Sequence, residues 1–513
     1  MEFRVKNIMI ETGANVALIN EEDAVKHGIR PGDRVEITSG NRRKSTAIID
    51  TTNITSRRYI GFTKELSDEL RLKDGSAVLL ERMEQPKSLM AIRDKLNKRR
   101  LEYEGIYEIV KDTVSKKLSR NEITAFVVGL HAYGLDMEEA GYMSTAMVNT
   151  GSILNLQKKR VFDKHSIGGV PGDKTTLLVV PIVAAAGLTI PKTSSRAITS
   201  AAGTADRAEV LMPVALSIEE MRRVVSKTNG CIAWGGAVHL APADDIFIKI
   251  EYPFSIDPLL LPSIMSKKKA VGATDMVLDV PVGETSKVKS TSDAEILVKD
   301  FMDLGSRMGI RVRGAITYGE QPVGRAIGAA AEAREALQVL EKRKNSTDLV
   351  DKAASIAGML LEMAGRRNGK QLAMSILESG AAERKMRQLI DEQGGDPGIG
   401  SDDIEVGKHA STISSEYNGR VIHIDNSALA YATRIAGAPV DKKAAILLHK
   451  KLGDSAKEGE PLFTIYSDSA PNLKIAEKYA RENMAVLVGS GNTMLIKKIW
   501  AKKIIQPSFM IER

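Results

Sequence analysis

The chain has 513 residues, 43% of them apolar, enough for buried cores and a prior of about three domains at roughly 150 residues each. Lysine and arginine exceed aspartate and glutamate by 73 − 65 = 8, a balance that suits anionic ligands. The basic residues are scattered, runs such as Lys267-Lys268-Lys269 are short, aromatics reach only 4% and Cys231 is the single cysteine, which argues against a nucleic-acid surface and excludes an intrachain disulfide framework.

The opening MEFRVKNIMIETG carries charges at once and reads as no signal peptide. Residues 5–10 and 15–19 are apolar-rich strands, and residues 28–37 form a Gly-Ile-Arg-Pro-Gly-Asp turn running into an alternating strand. A similar turn-strand phrase returns at 72–80, so residues 1–86 predict a small pseudo-symmetric β barrel of the double-psi type. From 87 to 160 the spacing turns helical: 101–116 is amphipathic, Ser119 with Glu122 makes a capping box for the next helix, and 137–149 follows.

From 161 to 395 strands alternate with helices, with strand signals at 160–163, 232–234 and 276–280 and helix signals at 348–365 and 370–379, the pattern of a mostly parallel α/β lobe. The most apolar stretch, 177–191, is broken by Pro181 and Gly187 and falls short of the ~20 residues a membrane span needs. No membrane or nucleic-acid partner is expected, and the protein is expected in the cytoplasm. A Gly-rich turn at 394–398 leads into a C-terminal α+β domain, 396–513, with strands at 419–424, 445–450 and 461–466. Its phrase at 452–463 resembles biotinyl and lipoyl carriers but lacks a matching lysine signature.

Two segments carry the chemistry. Asp163-Lys164-His165-Ser166-Ile167-Gly168-Gly169-Val170-Pro171-Gly172-Asp173-Lys174-Thr175-Thr176 follows a strand and enters a buried helix. Three glycines in five residues let the backbone approach an anion, a helix N-terminus presents unpaired N–H groups, and Ser166, Thr175, Thr176, Lys164 and Lys174 add donors and charge. Asp173 between Gly172 and Lys174 rules out a Walker A loop. The second segment, 193–206, places six hydroxyls and Arg196 in twelve residues, a composition suited to phosphate oxygens. Two such loops predict two anion sites, or one site for a phosphate and a phosphorylated substrate.

Lys-His-Ser-x-Gly-Gly, followed some thirty residues later by a Ser/Arg loop ending in Gly-Thr-x-Asp and then by Ser263-Ile264-Met265-Ser266-Lys267-Lys268, resembles the thymidine and pyrimidine-nucleoside phosphorylase family from about residue 87 onward. The resemblance implies a helical lobe hinged to an α/β lobe, with phosphorolysis in the cleft between them. It implies inorganic phosphate as co-substrate, held by Lys164, Ser166, Thr176, Ser194 and Thr204, with no other cofactor and no metal. The N-terminal barrel, the Gly-Gly-Val-Pro-Gly loop and 195–200 resemble the branch that acts on nucleoside monophosphates. The arginine that clamps the base in pyrimidine enzymes is replaced by Ile248.

The same likeness assigns nucleotide contacts to Gly169, Ser195, Arg196, Ala197, Ile198, Thr199, Ser200, Thr204, Ser263 and Lys287. It makes Asp257, in Ser255-Ile256-Asp257-Pro258, the proton donor to the leaving base. Adenine leaves poorly as an anion, and an acid with a pKa raised toward neutrality relieves that. The expected reaction converts AMP and phosphate to adenine and ribose 1,5-bisphosphate, with CMP and UMP as further substrates, in a homo-oligomer of two or more subunits. The segment from Asp257 to Ser263 is shorter than the family pattern. Three rivals stay open at this point: a pyrimidine-nucleoside phosphorylase, an anthranilate-type phosphoribosyltransferase, and a non-catalytic AMP sensor.

Overall fold

The computed structural model describes residues 1–489 apart from Asn41, Ile198, Thr199 and Asn345. Strands β1 (Glu2–Asn7), β2 (Val16–Asn20), β3 (Arg34–Ser39), β4 (Lys44–Thr52), β5 (Tyr59–Phe62) and β6 (Ala77–Arg82) close into a barrel in the order β1-β5-β2-β4-β3-β6. The pairs β1/β5 and β2/β4 are parallel and the rest antiparallel, so the barrel crosses over itself as the repeated turn-strand phrase predicts. Alternate residues such as Val5, Ile19, Ile37, Ile49 and Ile60 fill its interior. Helices α1 (Glu21–His27) and α2 (Lys64–Leu70) lie between strands.

A helical lobe follows: α3 (Ser88–Leu96), α4 (Tyr103–Val114), α5 (Arg120–Tyr133) and α6 (Met137–Asn149). The capping box forms at α5, where Ser119 accepts from the Glu122 amide and Glu122 accepts from the Ser119 amide. The lobe is discontinuous. Within the span assigned to the α/β lobe, α11 (Pro242–Phe254) returns and buries Phe247 and Ile250 in the helical core, with the Phe126 and Phe247 rings 6.2 Å apart. The chain crosses between lobes at adjacent points: the Ser152 amide donates to the His239 carbonyl at 2.9 Å, and Gly151 packs on the Leu240 carbonyl.

The α/β lobe is built from β7 (Phe162–Ser166), α7 (Thr175–Ala185), β8 (Ile190–Ser194), α8 (Thr204–Ala208), α9 (Ile218–Thr228), β9 (Gly230–Trp234), α12 (Leu260–Ala270), β10 (Asp275–Val282), α13 (Thr291–Arg307) and β11 (Arg311–Tyr318), with a short α10 (Gly235–Val238) before α11. Its strands run parallel in the orders β11-β10-β7 and β8-β9, and the Phe162 amide donates to the Thr189 carbonyl where the two groups meet. Helix α7 is buried all round, which is why its sequence is apolar rather than amphipathic. Helices α14 (Ala329–Leu340), α15 (Thr347–Met363), α16 (Gly369–Glu378) and α17 (Ala381–Glu392) surround it in one core.

The C-terminal part contains two small antiparallel sheets. Strands β12 (Ala326–Ile327), β15 (Ala445–Leu448), β17 (Pro461–Ser467) and β13 (His409–Ser414) form one; β16 (Ser455–Ala456), β14 (Gly419–Ile424) and β18 (Val486–Gly489) form the other. Helices α18 (Asn426–Ile435) and α19 (Ala470–Glu482) pack on them. Strand β12 couples this part to the glycine-loop side of the α/β lobe through β15. No helix among the described residues is long and apolar enough to cross a membrane.

Candidate active site

The site lies beyond the carboxyl ends of β7 and β8, where an open parallel sheet leaves a crevice. The loop after β7 depends on its glycines: Gly168, Gly169 and Gly172 have φ of +83°, +91° and +74°. A methyl group on Gly169 would stand 2.5 Å from the Lys287 amide nitrogen, and one on Gly172 would stand 2.7 and 2.8 Å from the Ala326 and Val323 carbonyl oxygens. The loop therefore fits only as glycine, and it brings Gly169 and Lys287 together.

Around this loop several donors have no protein acceptor. The hydroxyls of Ser166 and Ser194 are buried and make no hydrogen bond among the described residues. Thr176 is buried beside Thr175 on the first turn of α7. Lys164 is also buried; burial lowers its pKa against the pull of Asp173 and Asp279, and its ammonium forms no ion pair among the described residues. A buried donor set without acceptors is costly unless an anion arrives to use it. Asp173 is raised by burial but held well below the ordinary carboxylate range by Lys352 and Lys164.

Lys174 corrects the sequence reading, which gave it to the anion. Its ammonium is fully buried, 2.7 Å from Glu335, and donates at 2.9 Å to the carbonyls of both Val323 and Ala326. It holds the β12 approach against the loop instead. His165, flanked by Lys268, Lys192, Lys164 and Lys267, is pushed well below the ordinary imidazole pKa by burial first and then by those charges. It is neutral at pH 7.

The second loop closes on itself. Asp206 accepts from the amides of Ala197 (2.7 Å) and Gly203 (2.8 Å), and Gly203 lies flat on the backbone of Ser195 to Ala197. Arg196 donates to both Glu209 oxygens (2.7 and 2.6 Å) and stacks 4.7 Å over the Trp234 ring. Its guanidinium is thus engaged by protein, and what the loop offers a ligand is its backbone and hydroxyls. Ser200 donates to the Ala202 carbonyl, while Ile198 and Thr199 lie outside the described residues. Thr204 opens α8. Arg207 joins the two loops: it donates to the carbonyls of Asp173 and Ala202 and pairs with Glu332 at 3.0 Å.

Opposite stands the segment between α11 and α12. Ser255 takes φ +52°, its amide bonding back to the α11 carbonyls, and the turn carries Asp257 to the mouth of the cleft. The half-exposed Asp257 carboxylate is 4.0 Å from the Lys287 ammonium of the α/β lobe. Burial raises its pKa, Lys287 opposes, Asp244 adds to the rise and Lys267 opposes. Ser263 is half-buried on the first turn of α12, its amide bonded to Leu259. Thus Gly169, Lys287 and Asp257 converge, Ser263 lies on the helix after Asp257, Lys164 and Ser166 stand on β7, Ser194 ends β8, and Thr176 is on the first turn of α7.

Three neighbours escaped the sequence reading. Lys192 is buried on β8, 3.5 Å from Asp163, its pKa well below normal because of burial. A lysine inside a five-residue strand was the signal for it. Arg207 gave no signal. Glu251 is buried four residues after Phe247 on the apolar face of α11, and burial together with Asp257 and Asp244 pushes its pKa up to about 8. An acid on an apolar helical stripe could have marked it.

Residues 90–151 match the helical bundle domain of the glycosyl transferase family, 158–383 its a/b domain, and 421–487 the pyrimidine nucleoside phosphorylase C-terminal domain. Over 501 residues the chain is 47% identical to an AMP phosphorylase of Thermofilum pendens, covering 97% of this chain and 98% of that one. The chain belongs to the AMP phosphorylase family.

A second relative, the AMP phosphorylase of Thermococcus sibiricus, is 48% identical over 94% of this chain and 96% of its own. Membership of the AMP phosphorylases makes the chain a pentosyltransferase, and the match runs through the barrel that the three domain models leave out. The anthranilate phosphoribosyltransferase of Thermus thermophilus superposes with a TM-score of 0.51 at 19% identity, over 59% of this chain and 99% of that one. That likeness is one of fold: a helical lobe hinged to a parallel α/β lobe.

Proposed function

We propose that the protein catalyses the phosphorolysis of AMP to adenine and ribose 1,5-bisphosphate, with CMP and UMP as further substrates. One observation carries the reading: a carboxyl with a raised pKa, Asp257, faces across the cleft the ends of β7 and β8, where buried Lys164 has no ion-pair partner and the Ser166 and Ser194 hydroxyls no hydrogen bond among the described residues. In this reading Lys164, Ser166, Thr176, Ser194 and Thr204 hold inorganic phosphate below C1′. Gly169, the 195–200 loop, Ser263 and Lys287 hold the nucleotide. The oriented phosphate then attacks C1′ as an effectively intramolecular step.

As the C1′–N9 bond breaks, its electron pair passes to the base and Asp257 delivers a proton to N7, so that adenine leaves neutral. We assign charge neutralisation to lysines and the helix N-terminus, with no resident metal in the reading. The domain divisions at 86/87, 160/161 and 395/396 are part of the proposal, with the barrel serving subunit assembly in a cytoplasmic homo-oligomer.

The test is release of free base from AMP, CMP, UMP, adenosine and thymidine with and without phosphate. Release from the monophosphates only when phosphate is present supports the reading. Release from thymidine alone would assign the chain to pyrimidine-nucleoside cleavage, and binding of AMP with no release would make it a sensor.

A further inference from the structure

The acid at Asp257 shares its surroundings with more carboxyls than cations. Asp244 and Glu251 lie on α11, Asp257 on the loop after it, and Asp245 stands beside Asp244. Facing them are Lys267 on α12 and Lys287 on the loop after β10. Lys267 is committed to Asp244 at 2.5 Å, and Glu251 leaves one carboxyl oxygen without a hydrogen bond among the described residues. Among the described residues Lys287 at 4.0 Å is therefore the one ammonium in an ion pair with Asp257, and Asp257 is the only ion-pair partner of Lys287.

The backbone of Lys287 packs against Gly169 of the phosphate loop, while its side chain is 54% exposed. A long cationic side chain rooted beside the glycine loop can serve either of two anions, the acid or an arriving phosphate. A phosphate dianion forms stronger charge-assisted bonds to an ammonium than a half-exposed carboxylate at this distance.

We propose that Lys287 makes the acid at Asp257 conditional on the 5′-phosphate of the substrate: in the empty cleft the ammonium lies by the carboxylate, and a bound phosphate draws it away. This rests on the phosphorolysis reading above. Once Lys287 leaves, burial and the neighbouring Asp244 are opposed only by Lys267, which is committed to Asp244, and the Asp257 carboxylate takes up a proton from solvent at the open mouth. That proton passes to N7 as C1′–N9 breaks and the phosphate oxygen–C1′ bond forms, which returns Asp257 as carboxylate. A nucleoside without a 5′-phosphate leaves Lys287 in place and meets an Asp257 that holds its proton less tightly. Selection for nucleotides is then exerted on the proton as well as on binding.

The experiment measures kcat and kcat/KM against pH for AMP and adenosine, at saturating phosphate, in the wild type, Lys287→Gln and Lys287→Arg. Both parameters fall as pH rises through the pKa of the acid. In the wild type the fall in kcat for AMP is expected at higher pH than the fall in kcat/KM, while for adenosine the two coincide. Lys287→Gln is expected to lose AMP affinity, to move the kcat/KM fall to higher pH with both substrates, and to raise adenosine cleavage severalfold at pH 7.5. Lys287→Arg keeps the wild-type position. An unmoved fall in Lys287→Gln, with AMP affinity alone reduced, overturns the proposal and leaves Lys287 a phosphate contact. A wild type that releases no base from AMP overturns the parent reading instead, so the two failures are distinguishable.

Discussion

Lys164 and Lys174 bracket one glycine loop and are both buried, yet the fold treats them in opposite ways. On the α7 side Lys174 has a carboxylate and two carbonyls, Arg207 has Glu332 and two carbonyls, and Asp173 has Lys352 at 3.4 Å. On the β7 and β8 side, among the described residues, Lys164 has no ion-pair partner and the Ser166 and Ser194 hydroxyls have no acceptor. Buried charge is tolerated when paired. Where a fold pairs every charge on one side of a loop and leaves the other side open, the open side is the one built for a ligand. Burial alone would not have separated the two lysines; their partners do.

The largest expected effect lies across the cleft from the open side. Asp257→Asn removes the proton donor and should lower base release by about 10²–10⁴-fold, with an unchanged melting temperature, since the side chain is half-exposed. Next come the two lysines, which should part company. Lys174→Met takes from the buried Glu335 its nearest ammonium, leaving Lys344 at 3.2 Å, and from two carbonyls their donor, and should cost about 1–3 kcal/mol of stability, read by denaturant unfolding. Lys164→Met should leave stability unchanged or improved, because it removes an unpaired buried charge, while weakening phosphate about 10-fold or more as a lost charge-assisted contact. If Lys164→Met unfolds the protein and Lys174→Met only raises the KM for phosphate, the comparison is the wrong way round.

The smallest effect concerns Glu251. Its folded pKa is raised to about 8 from an ordinary value of 4.5, so the folded state binds its proton more tightly than the unfolded chain does. The stability this contributes is full below about 4.5 and is lost as pH rises toward about 8. Glu251→Gln should therefore flatten that part of the melting temperature against pH profile and overtake the wild type at its alkaline end. Parallel profiles for the two proteins would mean that Glu251 is not buried as a neutral acid.

Much of the fold was legible because local signals agreed with the tertiary arrangement. The Ser119/Glu122 capping box starts α5, the helical spacing at 137–149 is α6, and the apolar run after Lys174 is the all-buried α7. The two glycine- and hydroxyl-rich loops were legible from composition, and the positive φ of Gly168, Gly169 and Gly172 explains why glycine stands there. What stayed hidden depends on contacts distant in sequence. Nothing near Lys174 announces Glu335, 161 residues on by 335 − 174, and nothing near Arg196 announces that Glu209 and Trp234 occupy its guanidinium. The return of α11 to the helical core is likewise invisible locally, because its spacing is that of any amphipathic helix and only packing decides which lobe it joins.

The central claim is that phosphate, not water, takes the ribosyl group from a nucleoside monophosphate. Phosphorus NMR of AMP incubated with the protein and inorganic phosphate tests it directly. The account predicts that the inorganic phosphate signal declines as the two resonances of ribose 1,5-bisphosphate grow, one for each adenine released, and that Asp257→Asn suppresses both. Adenine released with ribose 5-phosphate as the only sugar product, at a rate indifferent to added phosphate, would contradict it.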